Sequence, residues 1–375
     1  MFTKYPTMAT AFKDFNSTEY ALDIIPHEKI ITPTAQSSTT SFDDFMWINF
    51  WEWRVQVILW IYVPPILIVM GTFFNGLTVL VLLQRKFGKP STRLLLIVLA
   101  LADTSMLLTR CLRWWILKAF AIDVRYLSAA SCPIHLFFTY FLFHFASWNV
   151  ALLTLERWIS VSYPLKARVI CTRKNIIITL TITITFLVAL NSHIFYFFQR
   201  THDSNCKYIS KAYHNFLLKV WYWIDFLAYS GLPFTVITFC NCSIFHQVSQ
   251  GQTRRKALQN SDGKTDCGRA QMTSMTRMLT TVSVMFILFT LPVSVYFIVY
   301  GYLPGRDTRT RKQWAQYDLS YAATNLFSYL NNTVNFILYC LSGTQFRREV
   351  LRMLRCQRVV EASQGSGSQD KTSVT

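Results

Sequence analysis

The sequence predicts an all-α membrane protein, a seven-transmembrane helix bundle with a short amphipathic eighth helix. Of its 375 residues, 52% are hydrophobic and 15% are charged, whereas soluble domains are about 25% charged. A bilayer core of about 30 Å requires roughly 20 apolar helical residues, and seven runs reach that length. The runs are 55–83, 92–117, 133–155, 175–198, 220–245, 278–303 and 317–341.

A helical bundle is favoured over a membrane β-barrel. Only helices and closed barrels satisfy the backbone hydrogen bonds in lipid, and barrel strands alternate polar and apolar residues. The run LLLIVLALA at 94–102 is continuously apolar instead. The predicted organisation is an extracellular tail at 1–54, the helix bundle at 55–341, the amphipathic helix at 342–356 and a disordered cytoplasmic tail at 357–375.

The charge distribution predicts the orientation in the membrane. A net charge of +18 can indicate nucleic-acid binding, but here the basic residues lie mainly in 84–93, 156–174, 246–277 and the tail. The first tail is acidic. The positive-inside rule therefore places the N-terminus outside the plasma membrane and the C-terminus in the cytosol. Asn16 is then a glycosylation acceptor, because it opens an Asn-Ser-Thr sequence in the outside tail.

Polar side chains inside the predicted spans are costly, so they indicate either function or helix pairing. Asn75 and Asp103 each lie ten residues from a basic residue at a span end, about 15 Å deep at the rise of a helix. Asn331, Asn332 and Asn335 reach a comparable depth. Two interpretations are open: hydrogen bonds that join the helices, or a shared polar switch with a sodium ion at Asp103.

Motifs in order along roughly 54–356 resemble those of rhodopsin-class (class A) G-protein-coupled receptors. GTFFN at 71–75 and LALAD at 99–103 are similar to the signatures of the first two spans. Glu156-Arg157-Trp158 stands at the DRY position, and NFILY at 335–339 stands at the NPxxY position. Pro233 and Pro292 match the prolines of spans 5 and 6, and FRREVLRML at 346–354 resembles the eighth helix.

The resemblance implies a disulfide, a switch and a cytosolic partner. Cys132 and Cys206, which both fall at predicted outside positions, match the cysteines of the family's extracellular disulfide. The resemblance implies that six residues of spans 3, 6 and 7 switch the receptor and couple it to a heterotrimeric G protein. They are Glu156, Arg157, Trp158, Pro292, Asn335 and Tyr339. Pro292 would act as a hinge for outward movement of span 6.

Several positions depart from the family pattern. Thr290 replaces the toggle tryptophan, Phe336 replaces the proline of NPxxY, and Asn241 replaces the tyrosine low in span 5. The tryptophan expected in the middle of span 4 is absent. These departures concern the details of the switch, not the fold.

The ligand site is predicted in the outer half of the bundle. Thr139 and Tyr329 stand where amine receptors have an aspartate and opsins have a lysine, so amines and retinal are disfavoured. Arg110 and Arg113 share a helix face, and Asp225 could pair with Arg113 or with a basic ligand group. The functional interpretation of the two arginines is a cationic pocket for a carboxylate or another acidic group of the ligand. They could instead extend to the membrane interface. The candidate ligand residues are Arg110, Arg113, Thr139, Asp225, Tyr296 and Tyr329.

The predicted function is a receptor for an extracellular ligand, a small neuropeptide, that activates a heterotrimeric G protein. One alternative is a chemosensory receptor of the same fold for a small molecule. Another is a secondary transporter, although the inverted repeats of transporters are not evident. No HExxH, GxSxG or P-loop motif indicates an enzyme. In the tail, Cys356 is a candidate for palmitoylation, and 363–375 offers Ser and Thr to receptor kinases and arrestin.

Overall fold

The computed structural model describes residues 50–84, 88–200, 206–208, 210–258, 267–301 and 310–353. Within these ranges the chain is almost entirely helical, which confirms the predicted fold class. The predicted modification sites Asn16 and Cys356 lie outside the described residues, as do most of both predicted tails.

Seven long helices form the bundle and are called spans 1 to 7 in chain order. They are Trp51–Leu83, Pro90–Phe120, Ser131–Ser162, Arg173–Phe197, Lys219–Gln250, Ser274–Val299 and Arg311–Ser342. The helix of span 5 starts earlier, at Lys211, and continues to Leu258, and that of span 6 runs over Cys267–Gly301. Among the described residues, the first six spans are apolar and long enough to cross a membrane.

Span 7 is equally long but more polar than the other spans. It begins with a capping box, in which Thr310 and Gln313 satisfy each other's backbone N–H groups. Its buried residues include Asn325, Asn331, Asn332 and Asn335. Because these amides face neighbouring helices and not the outer surface, a helix that is only moderately apolar still fits the bundle.

Spans 2 and 5 are interrupted by π-helical turns. Leu107–Cys111 forms one such turn in span 2, and Leu217–Trp221 and Leu227–Gly231 form two in the helix of span 5. A π turn inserts one extra residue, shifts the face that later residues present, and is frequent at functional sites. Arg110 lies within the first of these turns, and Asp225 lies between the other two.

A disulfide and a small hairpin mark one end of the bundle. Strands β1 (Phe198–Arg200) and β2 (Cys206–Tyr208) pair antiparallel, with Arg200 opposite Cys206. Cys206 is bonded to Cys132 at the start of span 3, and their Cα atoms are 5.6 Å apart. This predicted disulfide is therefore present, whereas the hairpin was not predicted. We call this the disulfide end and the opposite side the Arg157 end.

Close packing holds spans 1, 2 and 7 together. Trp60 stacks on Trp114 with ring centroids 5.0 Å apart, and Tyr321 meets the edge of Trp114 at 5.3 Å. At Gly71, a Cβ atom would collide with Leu107 and press on Thr333. Glycine at this position therefore allows the three helices to approach.

The eighth helix follows a break at Gly343 and covers 344–353 within the described residues. Phe346 is fully buried against Tyr339, with ring centroids 5.4 Å apart. Val350 packs on the same core cluster, while Leu351 is 52% exposed. The predicted apolar face is thus divided between the bundle and the outer surface.

Candidate functional site

The Glu156-Arg157 pair is buried at the Arg157 end and tied to span 2. Glu156 accepts hydrogen bonds from Ser91 at 3.3 Å and Thr92 at 3.2 Å. Arg157 lies 3.1 Å from the Glu156 carboxylate and also donates to the Thr92 hydroxyl. Trp158 packs between the rings of Tyr163 and Phe239. The guanidinium is thus held inside the bundle by its neighbouring carboxylate and by span 2.

Span 6 is fastened to the turn after span 7 by hydrogen bonds. Ser274 and Thr344 share a hydroxyl contact of 2.6 Å, and the Thr344 N–H also donates to Ser274 at 3.0 Å. Arg277 Nε donates to the Ser342 carbonyl at 3.2 Å. These contacts oppose outward movement of the end of span 6.

A second fastening joins span 6 to span 5. Asn241, which replaces the tyrosine of the family pattern, donates to Ser283 at 2.9 Å and accepts from it at 3.2 Å. Closer to the disulfide end, the hydroxyls of Ser230 and Ser294 are 2.6 Å apart. Thr290 donates to the Phe286 carbonyl of its own helix at 2.6 Å, and its side chain is smaller than the tryptophan of the family pattern.

The predicted polar layer is assembled across spans 1, 2 and 7. Asn335 donates to Asp103 Oδ2 at 2.7 Å, and Asn75 donates to the Asn332 carbonyl at 3.0 Å. Asn331, which precedes Asn332 in the sequence, is also buried. The amides and the carboxylate therefore join the helices, whether or not they also act as a switch.

The layer has oxygen atoms suited to a hard cation. Asp103 Oδ1, Asn75 Oδ1 and Asn335 Oδ1 are buried and make no hydrogen bond to the described residues. Carboxylate and amide oxygens are the ligands that hard cations prefer. The residues present thus fit a monovalent ion beside Asp103, and the sodium site stays a prediction.

Two adjoining cavities lie toward the disulfide end. The larger, of about 280 Å³, is between spans 5 and 6. The smaller, of about 20 Å³, reaches the centre of the bundle and is lined by Arg110, Thr139 and Phe143 among others. Asp225, Tyr229 and Phe297 line both. Three of the six predicted ligand residues, Arg110, Thr139 and Asp225, therefore come together here.

Arg110 is held over the small cavity by span 7. Its Nη2 donates to Asn325 Oδ1 at 2.8 Å and to the Tyr321 hydroxyl at 3.3 Å. The guanidinium carbon lies 4.4 Å from the centre of the Phe143 ring, which is a cation–π distance. Arg110 does not extend to the interface but places its charge inside the bundle.

Arg113 has a different environment from the predicted one. Its Nη2 is 2.8 Å from the Asp123 carboxylate, which Arg125 also approaches at 2.7 Å. All three side chains are at most 4% exposed. The predicted Arg113–Asp225 pair is wrong, because Asp123 follows span 2 closely enough to bond Arg113 while Asp225 is bonded to His144.

The electrostatics of Asp123 follow from these two arginines. Burial alone would raise the pKa of the carboxyl. The hydrogen bonds and positive charges of Arg113 and Arg125 outweigh burial and hold that pKa well below its usual range. The loop between spans 2 and 3 is thereby fixed to the bundle by a charged group that stays ionised.

The two predicted tyrosines contribute to packing. Tyr296 contacts the Tyr321 ring at 5.6 Å and donates to the Tyr317 carbonyl at 3.5 Å. Tyr329 is fully buried in the core cluster that includes Trp60 and Leu107. Neither is among the residues that line the two cavities.

Comparison with known proteins decides which class of membrane protein this is. The family model described as 7 transmembrane receptor (rhodopsin family) matches residues 74–339. The chain belongs to the rhodopsin family of seven-transmembrane receptors. The matched residues run from span 1 to Tyr339 in span 7. The seven predicted spans and the predicted family are therefore confirmed, and the chain is a receptor and not an enzyme.

Several curated relatives of the receptor are named for peptides. It is 22% identical over 360 residues to sex peptide receptor-related protein 2 of Caenorhabditis elegans, covering 83% of this chain and 76% of that protein. It is 22% identical to galanin receptor type 1 of Rattus norvegicus over 311 residues, which cover 80% of this chain and 83% of that receptor. With the FMRFamide receptor of Drosophila melanogaster it is 28% identical over 208 residues, 52% of this chain and 34% of that receptor.

The receptor also contains a polar group that sequence analysis missed. His144 is fully buried in span 3, with Nε2 2.9 Å from Asp225 Oδ1 and Nδ1 3.1 Å from Asn191 Nδ2. An ionisable residue inside a span indicates function by default, so the histidine itself was a usable signal. Its partners depend on how spans 3, 4 and 5 are rotated, which the sequence does not reveal.

Proposed function

We propose that the receptor binds a small peptide from outside the cell and activates a heterotrimeric G protein at its cytosolic face. The disulfide end would face outward, with the cavities open to the ligand. The Arg157 end would lie in the cytosol. The observation that carries the proposal is a cavity lined by Arg110, Asp225 and aromatic rings at the end of the bundle opposite the buried Glu156-Arg157 pair. The names of the relatives, which refer to peptides, support the same class of ligand.

Activation would require the fastenings of span 6 to break. The cytosolic end of this span must leave Thr344 and Ser342 before a G-protein helix can reach Arg157. Pro292 supplies the hinge, because proline removes one backbone hydrogen bond from a helix. An agonist can drive the change only by binding the open form more tightly than the closed form.

The sodium ion, arrestin and receptor kinases belong to the same proposal. A sodium ion at Asp103 would stabilise the closed form if it required Asn335 to stay close to that carboxylate. Receptor kinases would act on the Ser and Thr residues at 363–375, and arrestin would bind that tail and the cytosolic face exposed by span 6. Lipid would surround the apolar outer faces of the spans.

Activation of a G protein by peptides tests the proposal. Cells that express the receptor would be given FMRFamide, galanin, neuromedin U and a library of small amidated peptides, and guanine-nucleotide exchange would be measured. We expect at least one peptide to stimulate exchange above that of cells without the receptor. A response to small non-peptide molecules alone would favour the chemosensory alternative, and solute flux without exchange would favour transport.

A further inference from the structure

We propose that Asp225 binds a positively charged group of the ligand, an ammonium or a guanidinium, and that His144 is the residue that positions its carboxylate. The inference rests on the proposed function, since it names the class of peptide that the same site would take. It implies that the agonist carries arginine, lysine or a free amino terminus.

The Asp225 carboxylate faces the cavities with one oxygen available. Its side chain is 21% exposed, and the residue lines both cavities. Oδ1 lies 2.9 Å from His144 Nε2. No hydrogen bond within the described part of the chain involves Oδ2. A ligand group in the cavity can therefore reach this oxygen without displacing histidine.

The hydrogen bonds around His144 assign its protons. Asn191 Nδ2 is 2.8 Å from the Leu187 carbonyl, so this atom must be the amide nitrogen and not the oxygen. Its second hydrogen points to His144 Nδ1, 3.1 Å away, which must then accept. The imidazole proton is therefore on Nε2 and is donated to Asp225.

The charges around the cavities leave the Asp225 carboxylate open to a ligand cation. Arg110 lines the smaller cavity together with Asp225, but its Nη2 donates to Asn325 and Tyr321 of span 7. A charge taken out of water is costly unless an opposite charge accompanies it. Within the described residues, no lysine or arginine nitrogen forms a salt bridge with the Asp225 carboxylate, and His144 is its hydrogen-bond partner. The site is thus complementary to a cation from the ligand.

The walls of the larger cavity suit the same cation. One lysine, Lys219, lines this cavity, but aromatic residues form most of its wall, among them Trp223, Phe226, Tyr229 and Phe297. The faces of aromatic rings attract positive charge. Its volume of about 280 Å³ is at the small end of ligand pockets, which are about 300–1,000 Å³. It therefore suits one or two side chains of a peptide and not a whole folded ligand.

Two matched peptide pools separate this inference from the proposed function. The first pool contains amidated hexapeptides with a free amino terminus and with arginine or lysine at varied positions. In the second, the terminus is acetylated, and citrulline and norleucine replace arginine and lysine. We expect nucleotide exchange to be stimulated by the first pool alone. Stimulation of equal potency by the second pool would overturn the inference and leave the proposed function intact. No response to either pool, together with no response to FMRFamide, galanin or neuromedin U, would overturn the peptide receptor itself.

Variants of Asp225 then test the contact with an individual active peptide. Asp225→Asn should lower its potency at least about 30-fold, as expected when one member of a buried charge pair is lost. Asp225→Glu should stay within about tenfold of the wild type. Asp318→Asn neutralises an acid of span 7 that lines neither cavity but lies near the buried Lys118, so it is compared at matched surface amounts, where it should have little effect on potency. Equal losses at Asp225 and Asp318 would indicate general electrostatic attraction and contradict a direct contact.

The positioning role of His144 needs a readout that loss of packing would not give. His144→Phe should reduce the potency of an arginine peptide more than that of its citrulline analogue, because only the charged group depends on the Asp225 carboxylate. His144→Gln, whose amide can still donate to Asp225, should restore most of the difference. If both analogues lose potency by the same factor in His144→Phe, at matched surface amounts, His144 does not position Asp225.

Discussion

At the scale of single residues, two arginines one helical turn apart have separate tasks. Arg110 faces the cavity and is held by Asn325, whereas Arg113 bonds Asp123 in the following loop. The sequence alone could not separate them, since both lie on one face of span 2. The difference arises because Asp123 is close in sequence to Arg113, and Arg110 lies within the π-helical turn.

Asp123→Asn should destabilise the receptor strongly. The change leaves Arg113 and Arg125 buried without their shared carboxylate, and breaking a buried ion pair costs about 3–5 kcal/mol. Thermal unfolding of the purified receptor measures the effect. Arg125→Gln should cost less, because the Arg113–Asp123 pair remains. Equal melting temperatures for the wild type and Asp123→Asn would contradict this view of the cluster.

The same carboxylate predicts how stability depends on pH. The pKa of Asp123 is lower in the folded receptor than in the unfolded chain, where it is about 3.9. The ionised group therefore stabilises the fold fully above that value, and its contribution falls as the pH decreases below it. In unfolding measurements between about pH 6 and pH 3, a range that spans the pKa of an unperturbed aspartate, the difference in stability between wild type and Asp123→Asn should narrow at the acid end. A constant gap would argue against an ionised Asp123.

Arg110→Gln should weaken an active peptide without removing the receptor from the surface. The guanidinium lies at the smaller cavity, and the loss of one charged hydrogen bond to the ligand costs roughly 1.5–3 kcal/mol, so we expect a loss of potency of at least about tenfold. Arg113→Gln should instead lower the amount of folded receptor, and the molecules that reach the surface should respond with nearly normal potency. Dose–response curves normalised to surface amount distinguish the two. The reverse pattern would place Arg113 in the ligand site.

At the scale of helices, span 6 is held by side-chain hydrogen bonds on two sides. Its Ser283 bonds Asn241 of span 5, and its Ser274 bonds Thr344 at the start of the eighth helix. Each contact is a neutral hydrogen bond, worth about 1 kcal/mol. The closed form is therefore held by several weak contacts, which a ligand can outweigh together.

Ser274→Ala should raise signalling in the absence of ligand. The change removes the contacts to the Thr344 hydroxyl and N–H, and about 1 kcal/mol corresponds to roughly a fivefold shift toward the open form. Basal nucleotide exchange at matched receptor amounts measures this shift. Thr281→Ala is the control, because that hydroxyl bonds the Arg277 carbonyl of its own helix. Equal basal activity in both variants would show that Ser274 does not restrain span 6.

At the scale of the whole molecule, the sequence predicts the helices well and the contacts between them poorly. The apolar runs locate each span because the bilayer fixes their length; the run at 92–117 corresponds to the helix Pro90–Phe120. The π-helical turns have no sequence signature, and they change which face later residues present. The motifs locate the Arg157 end and the polar layer, since those residues recur across the family.

The ligand half is harder to predict because it depends on rotation of the helices and on the loops. His144, Asn191 and Asp225 come from three spans and meet only when those spans have the right register. The Asp123 cluster depends on the fold of a loop. Tyr329, chosen from a family position, is instead a packing residue between spans 1, 2 and 7.

Orientation is a property of the whole chain and can be tested directly. We predict that an epitope tag at the N-terminus is detected on intact cells and that a tag at the C-terminus is detected only after permeabilisation. The basic residues of the loops at the Arg157 end provide the physical reason. Detection of both tags on the same side would be incompatible with seven spans.

The central claim is that ligand binding at the disulfide end controls nucleotide exchange at the Arg157 end. Its most direct test is peptide-stimulated exchange by a purified G protein with the receptor in lipid nanodiscs, compared between wild type and Arg157→Gln. The account predicts that the peptide binds both proteins and that only the wild type accelerates exchange. Undiminished acceleration by Arg157→Gln, or peptide binding to the wild type with no acceleration of exchange, would contradict it.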